Sequence, residues 1–260
     1  MEIFGYISAV FIGLILGLLG GGGSILSIPV LVYIFHLNPV LASAYSLFMV
    51  GVTSLVGAIP KYREHLVNLR AGIIFGIPSI ISIFCTRKWI IPWIPETLFS
   101  FGEFPFTKRF LILGLFAVLM VLAAIPMIRG RKDFTSATPR FRTFLVFMEG
   151  LLIGFLTGLV GAGGGFLIIP ALVFLTGLPF KTAVGTSLLI ISINSLLVFA
   201  GDWMSYSIDW TFLVTMTSLA ITGIIGGSLL SRHFSGEKLK MGFGWLILFM
   251  GIYILVREIY

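Results

Sequence analysis

The chain contains no Asp, Glu, Lys or Arg between Glu2 and Lys61, an uncharged run of 58 residues. One helix that crosses the hydrocarbon core of a bilayer needs roughly 20 apolar residues, so this run holds more than one membrane element. The composition agrees, because 58% of the 260 residues are hydrophobic and 10% are charged, against about 25% charged in soluble proteins. A soluble globule and a disordered chain are excluded, and the single cysteine, Cys85, excludes a disulfide-stapled domain. The sequence predicts a multi-pass integral membrane protein.

Clusters of proline, glycine and charge divide the chain into eight apolar segments. They span residues 3–35, 39–60, 69–86, 109–128, 141–176, 180–201, 208–230 and 238–257. We expect helices rather than a membrane barrel, because a barrel would show short segments of alternating polarity. The 87–108 connection carries Trp89 and Trp93 among prolines. It is predicted to be a loop at the membrane interface, where Trp is enriched.

The net charge of +7 does not indicate nucleic-acid binding, since the basic residues sit in the short breaks between apolar runs. The expected partners are the lipid bilayer and a small anionic substrate, with a homodimer as a further option and no nucleic acid. No cofactor or metal is expected, because His36, His65 and His233 stand apart from Cys85 and from the carboxylates. No catalytic arrangement is indicated, so the chain is not expected to be an enzyme.

The two halves of the chain repeat one another. Residues 13–29 read GLILGLLGGGGSILSIP and residues 154–170 read GFLTGLVGAGGGFLIIP, with nine of seventeen positions identical at an offset of 141. The same offset continues without a gap and aligns Asn68 with Asp209. A match of this length predicts a tandem duplication.

The first apolar segment of each half is too long for one crossing. A helix over residues 3–35 would be about 50 Å long, against a hydrocarbon core of about 30 Å. Each such segment contains a glycine cluster, at 20–23 and 161–165, where a helix is expected to break. If each segment crosses once, the two sides of the membrane carry 9 and 8 Lys plus Arg, whereas hairpins that turn back at the glycines give 12 and 5. The hairpin arrangement obeys the positive-inside rule and is the one predicted.

The predicted architecture is an all-α, inverted-topology tandem repeat. Each half has a glycine-interrupted re-entrant hairpin followed by three transmembrane helices. The first repeat covers residues 1–128, a basic cytoplasmic linker covers 129–140, and the second repeat covers 141–260. Each half makes an odd number of crossings, so the copies insert with opposite orientation, as in many secondary transporters. Both termini are expected outside the cell membrane.

The glycine clusters are candidate anion-binding tips. The first free N–H groups of a helix favour an anion, and glycine lets a small ligand approach the backbone closely. Two tips from inverted halves would form one central site. Its candidate residues are Gly22, Gly23 and Ser24 in the first copy and Gly163, Gly164 and Gly165 in the second. The outer glycines Gly13, Gly17, Gly154 and Gly158 have the small-xxx-small spacing of helix packing instead.

Polar residues on the segment after each cluster are further candidates for the substrate site. They are Ser46, Thr186, Ser187 and Asn194. Their hydroxyl and amide groups could complete the hydrogen-bond shell of an oxyanion, or they could bond to helix carbonyls of the protein.

Glu149 is an acidic residue inside an apolar segment and is a candidate for proton coupling. The alternative is a position near the cytoplasmic surface, since Arg142 lies seven residues before it. There the carboxylate would pair with a basic neighbour.

The duplicated Gly-x-x-x-Gly-x-x-Gly-x-Gly-Gly motif resembles the TauE/SafE sulfite-exporter family of membrane transporters. Pro29 and Pro170, the Thr186-Ser187-Leu188 stretch and the Ile208-Asp209-Trp210 turn carry the same resemblance, which covers nearly the whole chain. It implies an inner-membrane permease for small sulfur-containing anions such as sulfite or organosulfonates.

These features predict a secondary transporter that exports a small anion and is driven by protons or by the membrane potential. Two alternatives remain open: an anion channel with the same central site, and a membrane scaffold that transports nothing. Saturable counterflow of labelled substrate would indicate a carrier, whereas ohmic current would indicate a channel.

The 12-to-5 split of Lys and Arg predicts the orientation of the chain. In a Cys85→Ser background, cysteine tags at both termini are expected to react with a membrane-impermeant thiol reagent from outside. A tag in the 129–142 loop is expected to react only after the membrane is opened. Labelling of the two termini from opposite sides would reject the two-hairpin arrangement. Labelling of both termini from one side, with the loop outside, would mean that the chain has the opposite orientation in the membrane.

Overall fold

The computed structural model describes residues 2–95, 97–101, 104–129, 139–160, 165–174, 176–203 and 207–259. These residues are helical apart from a short β-hairpin and connecting turns. The helices of the first half are α1 (Glu2–Leu19), α2 (Gly22–Tyr33), α3 (Pro39–Arg63), α4 (Leu69–Cys85), α5 (Ile91–Trp93) and α6 (Lys108–Arg129). Those of the second half are α7 (Pro139–Val160), α8 (Gly165–Phe174), α9 (Phe180–Asp202), α10 (Trp210–Ser231) and α11 (Gly236–Ile259).

Five helical stretches in the described part of the chain are long and apolar enough to cross a membrane. They are Leu41–Arg63, Leu69–Trp93, Phe180–Gly201, Trp210–Ser231 and Gly236–Arg257. Large apolar side chains face outward from these stretches, with Phe249 64% and Ile73 58% exposed. Soluble monomers rarely expose wide apolar faces, whereas lipid covers them. The chain is a multi-pass membrane protein, as its sequence predicts.

The first glycine cluster ends α1 and turns the chain back on itself. Gly20 has φ +76°, a left-handed conformation that residues other than glycine rarely adopt. A Cβ at Gly23 would lie 2.5 Å from the carbonyl oxygen of Ile12 in α1. Gly5, near the start of α1, packs against the ring of Phe35, which follows α2. Helix α2 therefore runs back along α1, and the predicted break at this glycine cluster is confirmed.

Helices α3 and α9, which are equivalent elements of the two copies, pack against each other in opposite directions. Gly51 contacts Leu196, and ten residues further along α3, Lys61 contacts Gly185, which precedes Leu196 in α9. Equivalent positions are 141 residues apart, so the two copies run antiparallel at this crossing.

Two further helix pairs run parallel and join the two copies through glycines. A Cβ at Gly13 in α1 would collide with the carbonyl oxygen of Ala220 in α10, and Gly17 contacts the next turn of α10. At the equivalent positions, a Cβ at Gly154 in α7 would collide with the carbonyl oxygen of Ser79 in α4. Only glycine lets two backbones approach so closely. These outer glycines are packing residues, as predicted.

The equivalence of the two copies extends to helix caps and turns. Asn68 caps α4 by accepting a hydrogen bond from the N–H three residues on, at 3.0 Å. Its counterpart Asp209 caps α10 in the same way, at 3.1 Å. His36 and its counterpart Gly177 both have positive φ, 53° and 67°. The offset of 141 therefore relates local backbone geometry as well as residue types.

The segment predicted as an interfacial loop, 87–108, has more regular structure than the sequence indicated. Helix α4 continues through a π-helical turn, Thr86–Ile90, into α5, where Pro92 is tolerated because it lies in the first turn. Two short antiparallel strands follow, β1 (Thr97–Phe101) and β2 (Phe104–Thr107). Their alternating aromatic residues favour a strand. The described chain is thus helical, as predicted, with one short β-hairpin in this connection.

Two neighbouring glycines in α10 test the close helix packing. A Cβ at Gly227 would collide with the carbonyl oxygen of Leu14, whereas one at Gly226 meets nothing within 4 Å. We expect Gly227→Ala to lower the free energy of unfolding by about 1–3 kcal/mol, the usual cost of overpacking. Gly226→Ala should leave it unchanged or raise it by up to about 1 kcal/mol, because alanine favours a helix. Thermal unfolding in detergent measures both variants, and equal midpoints would contradict this packing.

Candidate functional site

The two glycine tips meet inside the helix bundle. Gly21 precedes α2, which begins at Gly22, and a Cβ at Gly21 would collide with the carbonyl oxygen of Gly165. A Cβ at Gly165 would lie 3.2 Å from the Ser24 hydroxyl oxygen. Gly21, Ser24 and Gly165 are all buried. The starts of α2 and α8, which are equivalent elements of the two copies, therefore touch.

Helix α2 begins without a side-chain cap. Gly21 occupies the cap position and has no side chain that could accept a hydrogen bond from the first N–H groups. This differs from α4 and α10, whose caps are the side chains of Asn68 and Asp209. The uncapped start of a helix offers N–H donors and the positive end of the helix dipole to an acceptor.

A chain of serine hydroxyls runs from this tip to α3. The Ser24 hydroxyl donates to the Gly21 carbonyl oxygen at 2.7 Å, and the Ser27 hydroxyl donates to the Ser24 carbonyl oxygen at 2.9 Å. The hydroxyl oxygens of Ser27 and Ser46 are 2.5 Å apart. Either hydroxyl can be the donor of this last bond, since a serine hydroxyl both donates and accepts. Ser46 thus reaches the tip through Ser27, which sequence analysis missed although it lies one turn after Ser24.

Gly23 faces α1 rather than α8. Its Cβ position lies 2.5 Å from the Ile12 carbonyl oxygen and 2.8 Å from the Leu16 Cβ. A glycine is needed here for the packing of the α1–α2 hairpin, while its backbone N–H stays at the start of α2. The predicted residues Gly163 and Gly164 lie outside the described residues.

The adjacent residues Ser187 and Thr186 have different surroundings. The Ser187 hydroxyl approaches the Gly20 carbonyl oxygen at 3.3 Å and so links α9 to the first tip. The Thr186 hydroxyl accepts a hydrogen bond from the N–H of Asn68 at 2.9 Å and thereby holds the connection between α3 and α4. Both hydroxyls also donate to carbonyl oxygens of their own helix, the alternative that the sequence left open.

Asn194 lies in the middle of the α3–α9 crossing, where its counterpart in the first copy is Thr53. Its amide nitrogen donates to the Ser79 hydroxyl at 3.0 Å. Four buried polar atoms here have no hydrogen-bond partner among the described residues: Asn194 Oδ1, Thr53 Oγ1, Ser54 Oγ and Ser195 Oγ. Buried polar groups without a partner are rare in proteins, so this cluster needs an explanation.

Arg87 is a functional candidate that sequence analysis missed. It lies in the π-helical turn after α4, is half-buried, and donates from Nη2 to the Ser43 hydroxyl at 3.3 Å. The predicted end of the apolar segment at residue 86 assigned Arg87 to a loop. The four-residue spacing from Ser79 through Ile83, both buried, was the signal that Arg87 continues an inward face.

Lys61 is buried, with 3% of its surface exposed, although the sequence placed it among the cytoplasmic charges. Its ammonium group donates to the Ser231 hydroxyl at 3.0 Å and lies 3.9 Å from the nearer carboxylate oxygen of Glu64. Glu64 also pairs with Arg232. These contacts tie α3 of the first copy to the end of α10 at the basic end of the bundle.

Glu149 lies near the middle of α7, about 15 Å along the helix from its start at Pro139. One carboxylate oxygen, Oε2, is buried and has no hydrogen-bond partner among the described residues. The next residue, Gly150, packs against the carbonyl oxygen of Phe75 in α4. The ion pair that the sequence left as an alternative is not seen among the described side chains, which do not include that of Arg142.

The chain matches the model of a known family over nearly its whole length. The family is described as sulfite exporter TauE/SafE, and the match covers residues 6–254. No solved structure matches the chain.

Relatives from bacteria and an archaeon are named probable membrane transporter proteins. One from Xylella fastidiosa (strain 9a5c) is 32% identical and covers 95% of this chain and 92% of its own length. One from Bacillus subtilis (strain 168) is 24% identical and covers 98% of this chain and 99% of its own length. One from Methanocaldococcus jannaschii is 24% identical and covers 95% and 94%.

Proposed function

The chain belongs to the sulfite exporter TauE/SafE family of membrane transporters, and we propose that it is a secondary transporter for a small sulfur-containing anion. The substrate is sulfite or an organosulfonate, and it is exported across the inner or plasma membrane. The family description supports this substrate class and this direction. The names of the relatives support membrane transport without naming a substrate.

The observation that carries the proposal is the uncapped, buried start of α2 in contact with the start of α8. Each helix start acts like roughly half a positive charge. Electrostatic interactions are poorly screened inside a membrane protein, so two such ends attract an anion without a cationic side chain between them. Gly21 and Gly165 let the starts of the two helices approach each other closely. The two tips therefore form a single anion site shared by the two copies.

The antiparallel crossing of α3 and α9 supports an inverted repeat as the architecture of transport. Secondary transporters of this design bind substrate at the repeat interface near the midplane and expose it to each side in turn. In this arrangement the Lys61–Arg232 end of the bundle is cytoplasmic and both termini are outside. The Ser27–Ser46 and Ser187–Gly20 contacts then hold the central site to the long crossing helices α3 and α9.

Proton coupling is assigned to Glu149, because its buried carboxylate oxygen has no hydrogen-bond partner among the described residues. An ionisable group in the middle of a membrane helix is costly and commonly marks a proton or ion pathway. A proton bound here removes that cost. Inward movement of this proton in exchange for the outgoing anion links export to the proton gradient.

Alanine substitutions at the two tips test the shared site. Gly165→Ala places a methyl group 3.2 Å from the Ser24 hydroxyl oxygen, and Gly21→Ala places one against the Gly165 carbonyl. We expect either variant to weaken sulfite binding about tenfold or more, the effect of losing one hydrogen bond to a charged group. Calorimetry on folded, monodisperse protein measures the affinity.

Gly76→Ala is the matched control for the tip variants. Gly76 is buried, and a Cβ there would lie 3.9 Å from Ile190, an ordinary contact. Native-like affinity in both tip variants would overturn the shared site. Loss in only one variant would instead indicate a site built by a single copy. Gly23→Val is a poorer test, because a side chain there also collides with α1.

Glu149→Gln tests coupling separately from binding. We expect this variant to lose proton-driven sulfite transport while counterflow of labelled sulfite continues, because exchange needs no net movement of protons. Glu237→Gln, at an exposed carboxylate at the start of α11, should change neither. Both rates are measured in proteoliposomes with and without a pH gradient. An unchanged pH dependence in Glu149→Gln would exclude the coupling role.

A further inference from the structure

A small cavity opens between α3, α4, α7 and α9, beside the polar crossing. Its lining consists of Arg87, Thr157, Asn194 and Ser195 with the apolar residues Leu47, Ile83 and Val198. The space is about 10 Å³, close to what one water molecule needs. Residues with polar side chains, from three different helices, therefore line one space that the protein does not fill.

Three polar atoms of this lining have no hydrogen-bond partner among the described residues: Thr157 Oγ1, Asn194 Oδ1 and Ser195 Oγ. Their residues are 6%, 1% and 1% exposed. The two hydroxyls are free to donate into the cavity. The Asn194 amide can do so as well. Rotating it exchanges its oxygen and nitrogen, so that the oxygen accepts a bond from the Ser79 hydroxyl and the N–H donors turn toward the cavity.

Arg87 adds a positive charge to the same cavity. Its guanidinium group bonds Ser43 and extends from a π-helical turn, a feature that often occurs at functional sites. A guanidinium presents several N–H donors in one plane, which matches the oxygen atoms of an oxyanion better than a single-atom ion. A cationic residue and three residues with polar side chains thus line one small space. This space lies at the end of α4 opposite to Arg70.

We infer that Arg87, Thr157, Asn194 and Ser195 form a binding site for a small oxyanion, on the outer side of the glycine tips. The inference rests on the proposed function, since it places this site on the path of the exported anion. The bound anion fills the water-sized cavity and enlarges it by moving the Arg87 side chain outward. Arg87 is the side chain that moves because it is the half-exposed polar residue of the lining. The anion passes from the tips to this site before it leaves the protein.

Two pairs of variants test the site with sulfite and methanesulfonate as probes. Arg87→Gln is compared with Lys88→Gln, because Lys88 is the adjacent, exposed cation and lies 5.4 Å from the Phe84 ring. Ser195→Ala is compared with Ser192→Ala, because Ser192 is equally buried and already donates to the Leu189 carbonyl oxygen at 2.8 Å. Affinity is measured by calorimetry and transport by counterflow in proteoliposomes, on variants with native melting temperatures.

We expect Arg87→Gln to weaken binding about tenfold or more, and Ser195→Ala about two- to tenfold, the range for charged and neutral hydrogen bonds. Lys88→Gln and Ser192→Ala should match the unmodified protein. If Arg87→Gln does not fold, Ser195→Ala decides the question alone.

The outcomes separate this inference from the function on which it rests. If the unmodified protein binds neither probe and shows no saturable transport of either, both are overturned. A second outcome would overturn this inference alone. The unmodified protein transports a probe and Gly165→Ala weakens its binding, but Arg87→Gln and Ser195→Ala behave like their controls. The proposed function then stands, and the cavity is a water site.

Discussion

A helix that ends inside a membrane leaves its terminal backbone N–H or C=O groups without water as a hydrogen-bond partner. The free-energy cost of such unsatisfied groups constrains the structure around Gly21. Each unsatisfied buried group costs about 1–3 kcal/mol, so an interrupted helix needs a partner at its end. Asn68 and Asp209 supply that partner for α4 and α10 at the ends of the bundle. Helix α2 begins without a side-chain cap, deep inside, against the start of α8. In the proposed function, the substrate anion is the acceptor for those N–H groups.

Bringing the two tips together determines how the rest of the chain packs. Apolar burial gives no driving force between helices in lipid, so close van der Waals contact has to hold them. The glycines of α1 supply that contact along α10, and those of α7 supply it along α4. The α1–α2 hairpin and helix α7 are thus each fastened to a helix of the other copy. The closest helix packing therefore crosses the boundary between the two sequence halves.

The sequence predicted those features that depend on polarity averaged over many residues. The membrane class, the duplication and the break of the first long segment at Gly20 all follow from such patterns, and the structure contains them. Features set by single side chains were missed. Arg87 was assigned to a loop because a charge ended the apolar run, although the π-helical turn keeps it on the inward face of α4. Burial of Lys61 depends on Ser231, which is 170 residues away in sequence. Composition and periodicity cannot predict a contact between residues so far apart in sequence.

The two copies share a backbone arrangement but differ in several side chains. These differences lie on α7 and on the turn that follows α4. The positions equivalent to Arg87, Thr157 and Glu149 in the other copy are Ser228, Leu16 and Ser8. Arg87 and Glu149 thus have no charged counterpart at the matching positions of the α1–α10 pair. A perfectly symmetric inverted repeat would present an anion with the same path from either face. In the proposed transporter, one path holds a guanidinium and a half-buried carboxylate that the other lacks. The two copies thus share equivalent backbone elements, while a few side chains make their chemistry different.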